Sequence, residues 1–443
     1  MSRLCAGARG LVLCLGIAAF GAGCDPGDRA GREASQYAGL DGTLLHRVLI
    51  VQDARDVSRE GRRTLERGLR ARAPGIRVIA ARAVGRMESP DLIPLLLGPL
   101  ADLHPGVRAE AANAVAQAAY RGGAAAAASA LVPRLEVERD PQVRGILYQS
   151  LGRLPFESLR EAESAEAALA AAVGGRDLAP VEEYGLVRGA ASLALLRRRL
   201  GADLSSFLMS RLGGAAYSEE VGGAGTGFTP DAAAYVQRAA LDGLVRARAA
   251  EPAILAASRL APDPEVRRLS AAGAATLRPS PRDDILDDLL RDSHPQVRFE
   301  ALRSLAGAGP ASRVGCDPWS DGLSDASVHV RVLVASAPRE ALGCVGAPGG
   351  PGRQDLTALA GSLSDSDAAV HWQVATAALG TVASAWPADA ADLLAPAVAH
   401  PLWQVRMDAA AVAGRLGDLE AVQVLVRDPD HNVREAALRA LSS

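Results

Sequence analysis

Residues 293–306 read SHPQVRFEALRSLA, and the phrase they carry decides the fold. A turn closes on His294-Pro295, Val297-Arg298 follows, and Val297, Ala301, Leu302 and Leu305 then recur at helical spacing. The phrase returns along the chain. Val107-Arg108 follows His104-Pro105, Val143-Arg144 follows Asp140-Pro141, and Val266-Arg267 follows Asp263-Pro264. Val330-Arg331, Val405-Arg406 and Val433-Arg434 continue it. Ile76-Arg77 and Val187-Arg188 read as earlier copies, Val370-His371 replaces the arginine, and Val236-Gln237-Arg238 displaces it by one position. Successive anchors lie 28 to 49 residues apart, mostly near 30 to 35. A helical pattern with that period is a solenoid of helical hairpins, about ten to twelve here. The longest steps coincide with Gly-rich stretches such as 213–230 and 343–352, which map to loops on one edge of the stack.

Each part of the phrase has a physical role. Asp140, Asp263 and Asp430 stand three residues before the valine, where a carboxylate caps the free N–H groups of a first helical turn. Proline beside it suits the first helical position, which needs no donor. Valine enters the core, and the alanines after it let helices approach closely. Second helices are expected between anchors, for example over Leu92–Leu100 and Ile285–Leu290.

Composition agrees. Of 443 residues, 49% are hydrophobic and only 3% aromatic, which argues for helices rather than a β-sandwich or barrel. The net charge of −3 offers no basic excess for nucleic acid. The sequence contains no lysine, so all 48 basic residues are arginine. A P-loop, a kinase-type lysine and a Schiff-base lysine are thereby excluded. Length alone predicts about three domains; the period predicts one array.

The phrase Asp-Pro-x-Val-Arg, an alanine-rich helix and then a leucine-rich one resembles the HEAT-like repeats of the phycobilisome-lyase type, over roughly residues 60 to 443. The resemblance implies an all-α fold, a right-handed α-α superhelix (HEAT-like α-solenoid) with a concave face. It also implies a role in protein binding and scaffolding. Some members are bilin lyases, but the sequence gives no independent reason to expect a bilin.

The N-terminus reads as an address. Arg3 and Arg9 precede an apolar run from Leu11 to Ala22, too short to span a bilayer, and small residues lead to Cys24. This resembles the bacterial lipoprotein signal, which implies residues 1–23 as signal peptide and Cys24 as lipidation site; the alternative is an ordinary cleaved signal. Residues 24–40 read as a flexible tether and 41–443 as the repeat array. The expected location is the cell envelope, by export and a lipid anchor. Cys316 and Cys344 are then left either to pair as a disulfide or to remain two buried thiols.

Arg108, Arg144, Arg267, Arg298, Arg331, Arg406 and Arg434 form an expected ladder, either gluing repeats through turn acids and carbonyls or offering an anion stripe. His104, His294, His371, His400 and His431 lie at turns without metal-ligand spacing and read as caps. Trp319, Trp372, Trp386 and Trp403 cluster in the last third, and Trp372 and Trp403 are the candidate partner-binding residues. The loop GGAGTG, residues 222–227, lacks the spacing of a phosphate loop. No catalytic constellation, metal site, cofactor or small-molecule substrate is evident.

The expected function is a membrane-anchored, non-catalytic scaffold that binds proteins or peptides on its concave face. The alternative is a regulatory or substrate-binding array of an enzyme system, peptidyl-prolyl isomerase- or lyase-associated. The last anchor has no hairpin partner, so Ala436, Ala437, Leu438 and Leu441 are expected to be partly uncovered at an uncapped face, for interaction or for continuation into another domain.

Overall fold

The computed structural model describes residues 42–175, 178–197, 201–212, 230–306, 314–336, 343–364 and 372–441. The expected signal, Cys24, the tether, the loop at 222–227 and the anchor Val370-His371 lie outside them.

Within the described residues the chain is an all-α solenoid of 23 helices. The first are α1 (Gly42–Asp53), α2 (Arg59–Leu69), α3 (Pro74–Arg86), α4 (Ile93–Leu96), α5 (Pro105–Ala118), α6 (Ala124–Val137), α7 (Pro141–Gly152) and α8 (Leu159–Gly175). The middle holds α9 (Pro180–Arg197), α10 (Ala202–Ser210), α11 (Pro230–Arg246), α12 (Pro252–Ser258), α13 (Pro264–Ala274), α14 (Pro279–Leu290) and α15 (Pro295–Ala306). Then come α16 (Asp317–Gly322), α17 (Val328–Ala335), α18 (Arg353–Gly361), α19 (Trp372–Ala385), α20 (Pro387–Val398), α21 (Trp403–Leu416), α22 (Leu419–Leu425) and α23 (His431–Ala440). Among the described residues no helix is long and apolar enough to cross a membrane.

The odd-numbered helices from α3 onward are the ones that the valine anchors open. Ile76, Val107, Val143, Val187, Val236, Val266, Val297, Val330, Val405 and Val433 are all buried. Each odd helix packs on the next odd one along the whole array, while even helices touch one another less. The odd helices are therefore the more closely packed of the two layers.

Local chemistry explains the starts and stops. The Asp140 carboxylate accepts from the Gln142 and Val143 N–H groups, Asp263 from Glu265, and Asp430 from Asn432, at 2.8 to 3.1 Å. Proline stands at the first helical position of α7 and α13, where its missing donor costs nothing. α21 ends on Gly417 in the left-handed conformation. The expected helix over Leu92–Leu100 is three pieces instead: Pro90–Leu92 and Pro99–Ala101 are 3₁₀ turns on either side of the four-residue α4. Pro94 and Pro99 interrupt the donor ladder there.

The odd layer closes most tightly between α7 and α9. A Cβ on Gly152 would fall on the carbonyl oxygen of Gly189, and one on Gly185 would fall on the backbone of Gly145. Glycine here is what allows two helix backbones to touch.

The core is thinnest around α16 and α17, helices of six and eight residues. There Cys316 and Cys344 are joined as a disulfide across 28 residues, with Cα atoms 5.4 Å apart. Trp319, Val330, Val334 and Leu302 pack around it. Closing a loop of this length removes unfolded-chain entropy worth about 3 kcal/mol. Replacing both cysteines by serine is therefore expected to lower unfolding free energy by about 2–3 kcal/mol, read by urea denaturation followed by far-UV circular dichroism. At the last helix, Leu438 and Leu441 are exposed as expected, but Ala437 is buried, because this helix packs on α21.

Candidate functional site

The arginines after the anchors share one geometry. In Arg77, Arg108, Arg267, Arg298 and Arg406, Nη1 donates to the carbonyl oxygens six and five residues upstream, in the repeat's own turn, at 2.7 to 3.2 Å. Their Nε and Nη2 donate as a fork to the carboxylate of Asp102, Glu138, Asp292, Asp325 and Asp428 respectively, at 2.6 to 3.0 Å. Each of those acids belongs to the next repeat, five residues before its valine. Each also accepts a backbone N–H in its own turn, from His104, Asp140, His294, Ser327 and Asp430. One guanidinium thus ties the turn behind it to the turn ahead.

Variants of the rung keep the logic. Arg144 donates to Glu182 at 2.5 Å and to the Tyr148 hydroxyl, and its guanidinium lies 5.5 Å from the Tyr148 ring centroid. The displaced Arg238 reaches Asp263 instead. Arg331 donates to the Asp325 carbonyl, and Arg434 to those of Asp428 and Pro429. The arginines are thus occupied with the stack. The carboxylates at minus five were missed in the sequence reading, which looked only at minus three. The signal was present: eight of the eleven anchors have Asp or Glu five residues upstream.

Electrostatics follow from the pairing. Burial alone raises the pKa of Asp102 and Asp292, but the arginine fork and a backbone N–H outweigh it and hold both below the ordinary carboxylate range. The arginine fork is the leading cause of lowering at Asp325 and Asp428. Glu138 is the extreme case. Burial opposes ionisation, yet Arg108, Arg134 and the Asp140 N–H bring its pKa from 4.5 to about 2. Because the folded value lies below the unfolded one, this carboxylate's contribution is fully present above the unfolded value. It is lost as the pH falls from about 5 toward 2. Its size is about 3 kcal/mol. Glu138→Gln is expected to destabilise by that amount at pH 7 and by almost nothing near pH 2, measured by urea denaturation at both.

Histidines serve the turns. His104 Nδ1 accepts the Gly106 N–H at 3.2 Å, and His400 Nδ1 accepts the Leu402 N–H at 3.1 Å. His294 Nδ1 has no hydrogen-bond partner among the described residues; His371 lies outside them. Among the described residues no group of three or more His, Cys, Asp or Glu side chains could hold a metal ion.

Two grooves open on the odd layer. One, about 610 Å³, runs between α17, α19 and α21 and is lined by Trp372, Gln373, Thr376, Asp408 and Arg415, among others. Its floor is small and apolar, with Ala377, Gly380 and Ala411. Arg415 donates to the Gly380 carbonyl at 2.6 Å and to the Ser384 hydroxyl at 3.0 Å. The Asp408 carboxyl is pushed above the ordinary range by burial, opposed by a hydrogen bond from Thr376. The other groove, about 590 Å³, crosses α1, α3, α5 and α7, where Arg86, Tyr120 and Arg153 line it.

Of the two nominated tryptophans, Trp372 lines the first groove. Trp403, half-buried at the start of α21, packs against the apolar core beside it and is not among the lining residues. Trp319 is buried beside the disulfide. Asp408 was not singled out in the sequence.

Residues 63–152 match the family model for HEAT repeats, a segment spanning α2 to α7. No curated protein matches the chain in sequence. Solved structures with a similar fold include Kap121p, at 14% identity over 92% of this chain and 52% of that one, with a TM-score of 0.41. A Kap121p mutant matches at 12% identity over 92% of this chain and 48% of that one, with a TM-score of 0.42. A structure of Kap95p binding to RanGDP matches at 11% identity over 94% of this chain and 66% of that one, with a TM-score of 0.48. The chain spans about half the length of the Kap121p chains. The solenoid assignment rests on the helix ladder and the family match.

Proposed function

We propose that this protein is a membrane-anchored, non-catalytic scaffold that holds a protein or peptide partner on its concave face. The observation that carries this reading is the placement of both grooves on the closely packed odd-helix layer, taken in this reading as the concave side, away from the rungs that consume the anchor arginines. A rigid stack presents those grooves at fixed separation, which lowers the ordering cost of binding an extended partner. Trp372 in one groove and the exposed Tyr120 in the other are side chains of the kind that anchor interfaces.

Export and lipid anchoring belong to the same reading, on the signal before Cys24. The Cys316–Cys344 disulfide supports it, since such bonds persist in oxidising compartments. The test has two parts. Cys24→Ala is expected to move the protein from the membrane to the soluble fraction, and unchanged membrane association contradicts the anchor. Crosslinking in the intact envelope followed by mass spectrometry is expected to return a protein partner joined to odd-helix residues. Recovery of no partner contradicts the scaffold.

A further inference from the structure

Carboxylates on the odd-helix layer are matched by arginines on the helix before them. Glu110 on α5 takes Arg82 of α3 in a fork at 3.0 and 3.2 Å. Glu300 on α15 takes Arg268 of α13 at 3.4 Å, with Arg303 of its own helix at 2.5 Å. Glu110, Glu300 and Asp408 share one register, three residues after their anchor valines. The arginines that reach across occupy two registers, six residues after the anchor for Arg82 and two after it for Arg268. On α19, the helix before Asp408, those two registers hold Thr376 and Trp372.

Asp408 is therefore a half-buried carboxylate whose arginine positions are filled by a hydroxyl and an indole. It has no ion-pair partner among the described residues, in a chain where most buried acids hold an arginine. A carboxylate and an aromatic face in one groove are the complement of a cation.

We propose that the groove between α17, α19 and α21 receives an arginine or lysine side chain from an extended peptide segment of the partner. Asp408 pairs the charge, and the Trp372 indole covers the flat face of the cation. The groove, about 610 Å³, exceeds one side chain, so neighbouring peptide residues lie along the Ala377, Gly380 and Ala411 floor. This inference rests on the concave-face reading and narrows its partner to a basic segment. Burial of the carboxylate, which raises its pKa in the free protein, fits a group awaiting its counter-ion.

The test uses the detergent-purified full chain and fluorescein-labelled peptides GSGSXSGSG, with arginine, lysine, citrulline or glutamate at X, read by fluorescence anisotropy. The arginine and lysine peptides are expected to bind at least tenfold tighter than the citrulline peptide. Asp408→Asn, nearly isosteric, and Trp372→Ala are each expected to abolish that preference. Trp372→Tyr should retain most of it, and Glu420→Gln, which removes an exposed acid on α22, should leave it unchanged. Equal binding of arginine and citrulline peptides overturns the proposal, as does a preference surviving in Asp408→Asn. An envelope partner captured equally by wild type and Asp408→Asn overturns it too, while leaving the scaffold reading intact.

Discussion

Gly152→Ala is expected to cost about 3–5 kcal/mol and to split the array's cooperative unfolding. The added Cβ meets the backbone oxygen of Gly189, not a side chain that can rotate away. Overpacking usually costs about 1–3 kcal/mol because neighbours repack; here the neighbour is another helix's backbone, so relief requires α7 and α9 to separate. In a solenoid each repeat is stabilised mainly by its nearest neighbours, so a gap there uncouples the repeats before it from those after it. Hydrogen exchange should show lost protection concentrated in α7 and α9, and thermal unfolding should broaden or divide. Gly380→Ala is the control. Nothing lies within 4 Å of its Cβ position on α19, so alanine should be neutral or stabilise by up to about 1 kcal/mol.

Arg298→Ala is expected to cost about 3–5 kcal/mol. Its guanidinium makes four hydrogen bonds, two to the Asp325 carboxylate and two to the carbonyls of Asp292 and Ser293. The pair is only 17% and 11% exposed, so solvent does not replace what is removed. Truncation leaves an uncompensated carboxylate and turn carbonyls without donors. Lysine should rescue little, because one ammonium cannot bridge both turns as the fork does. Arg298→Ala combined with Asp325→Ala should cost clearly less than the sum of the single changes, the mark of a coupled pair. Arg439→Ala, at an ion pair 78% and 58% exposed, should fall within about 0.5 kcal/mol of wild type. Urea denaturation of Arg298→Ala, Arg298→Lys, Asp325→Ala, the double variant and Arg439→Ala measures all of this.

What the sequence disclosed and what it concealed have physical reasons. Anchors and caps were legible because the repeat multiplies a local rule. A capping aspartate acts within three residues of itself, so Asp140, Asp263 and Asp430 needed no tertiary information. The rung acids act across a repeat boundary, and only the period relates Arg298 to Asp325. The Leu92–Leu100 stretch misled because its leucines outweighed its two prolines in a hydropathy reading. Trp372 and Trp403 looked alike in composition but differ in register: one stands two residues after its anchor and faces the groove, the other two before its anchor and packs at the turn. Asp408 was hidden because its character depends on which residues the preceding helix does not supply. Whether Cys316 and Cys344 pair depends on a distance that only the folded turns set.

The most direct measurement of the account is site-specific photocrosslinking in the intact envelope. A photoreactive residue is placed at Ala377 or Ala411 on the odd layer, and at Leu419 or Val424, exposed on the even helix α22. Binding on the odd layer predicts a discrete partner band from the first pair of positions and none from the second. A partner captured from α22 alone contradicts it.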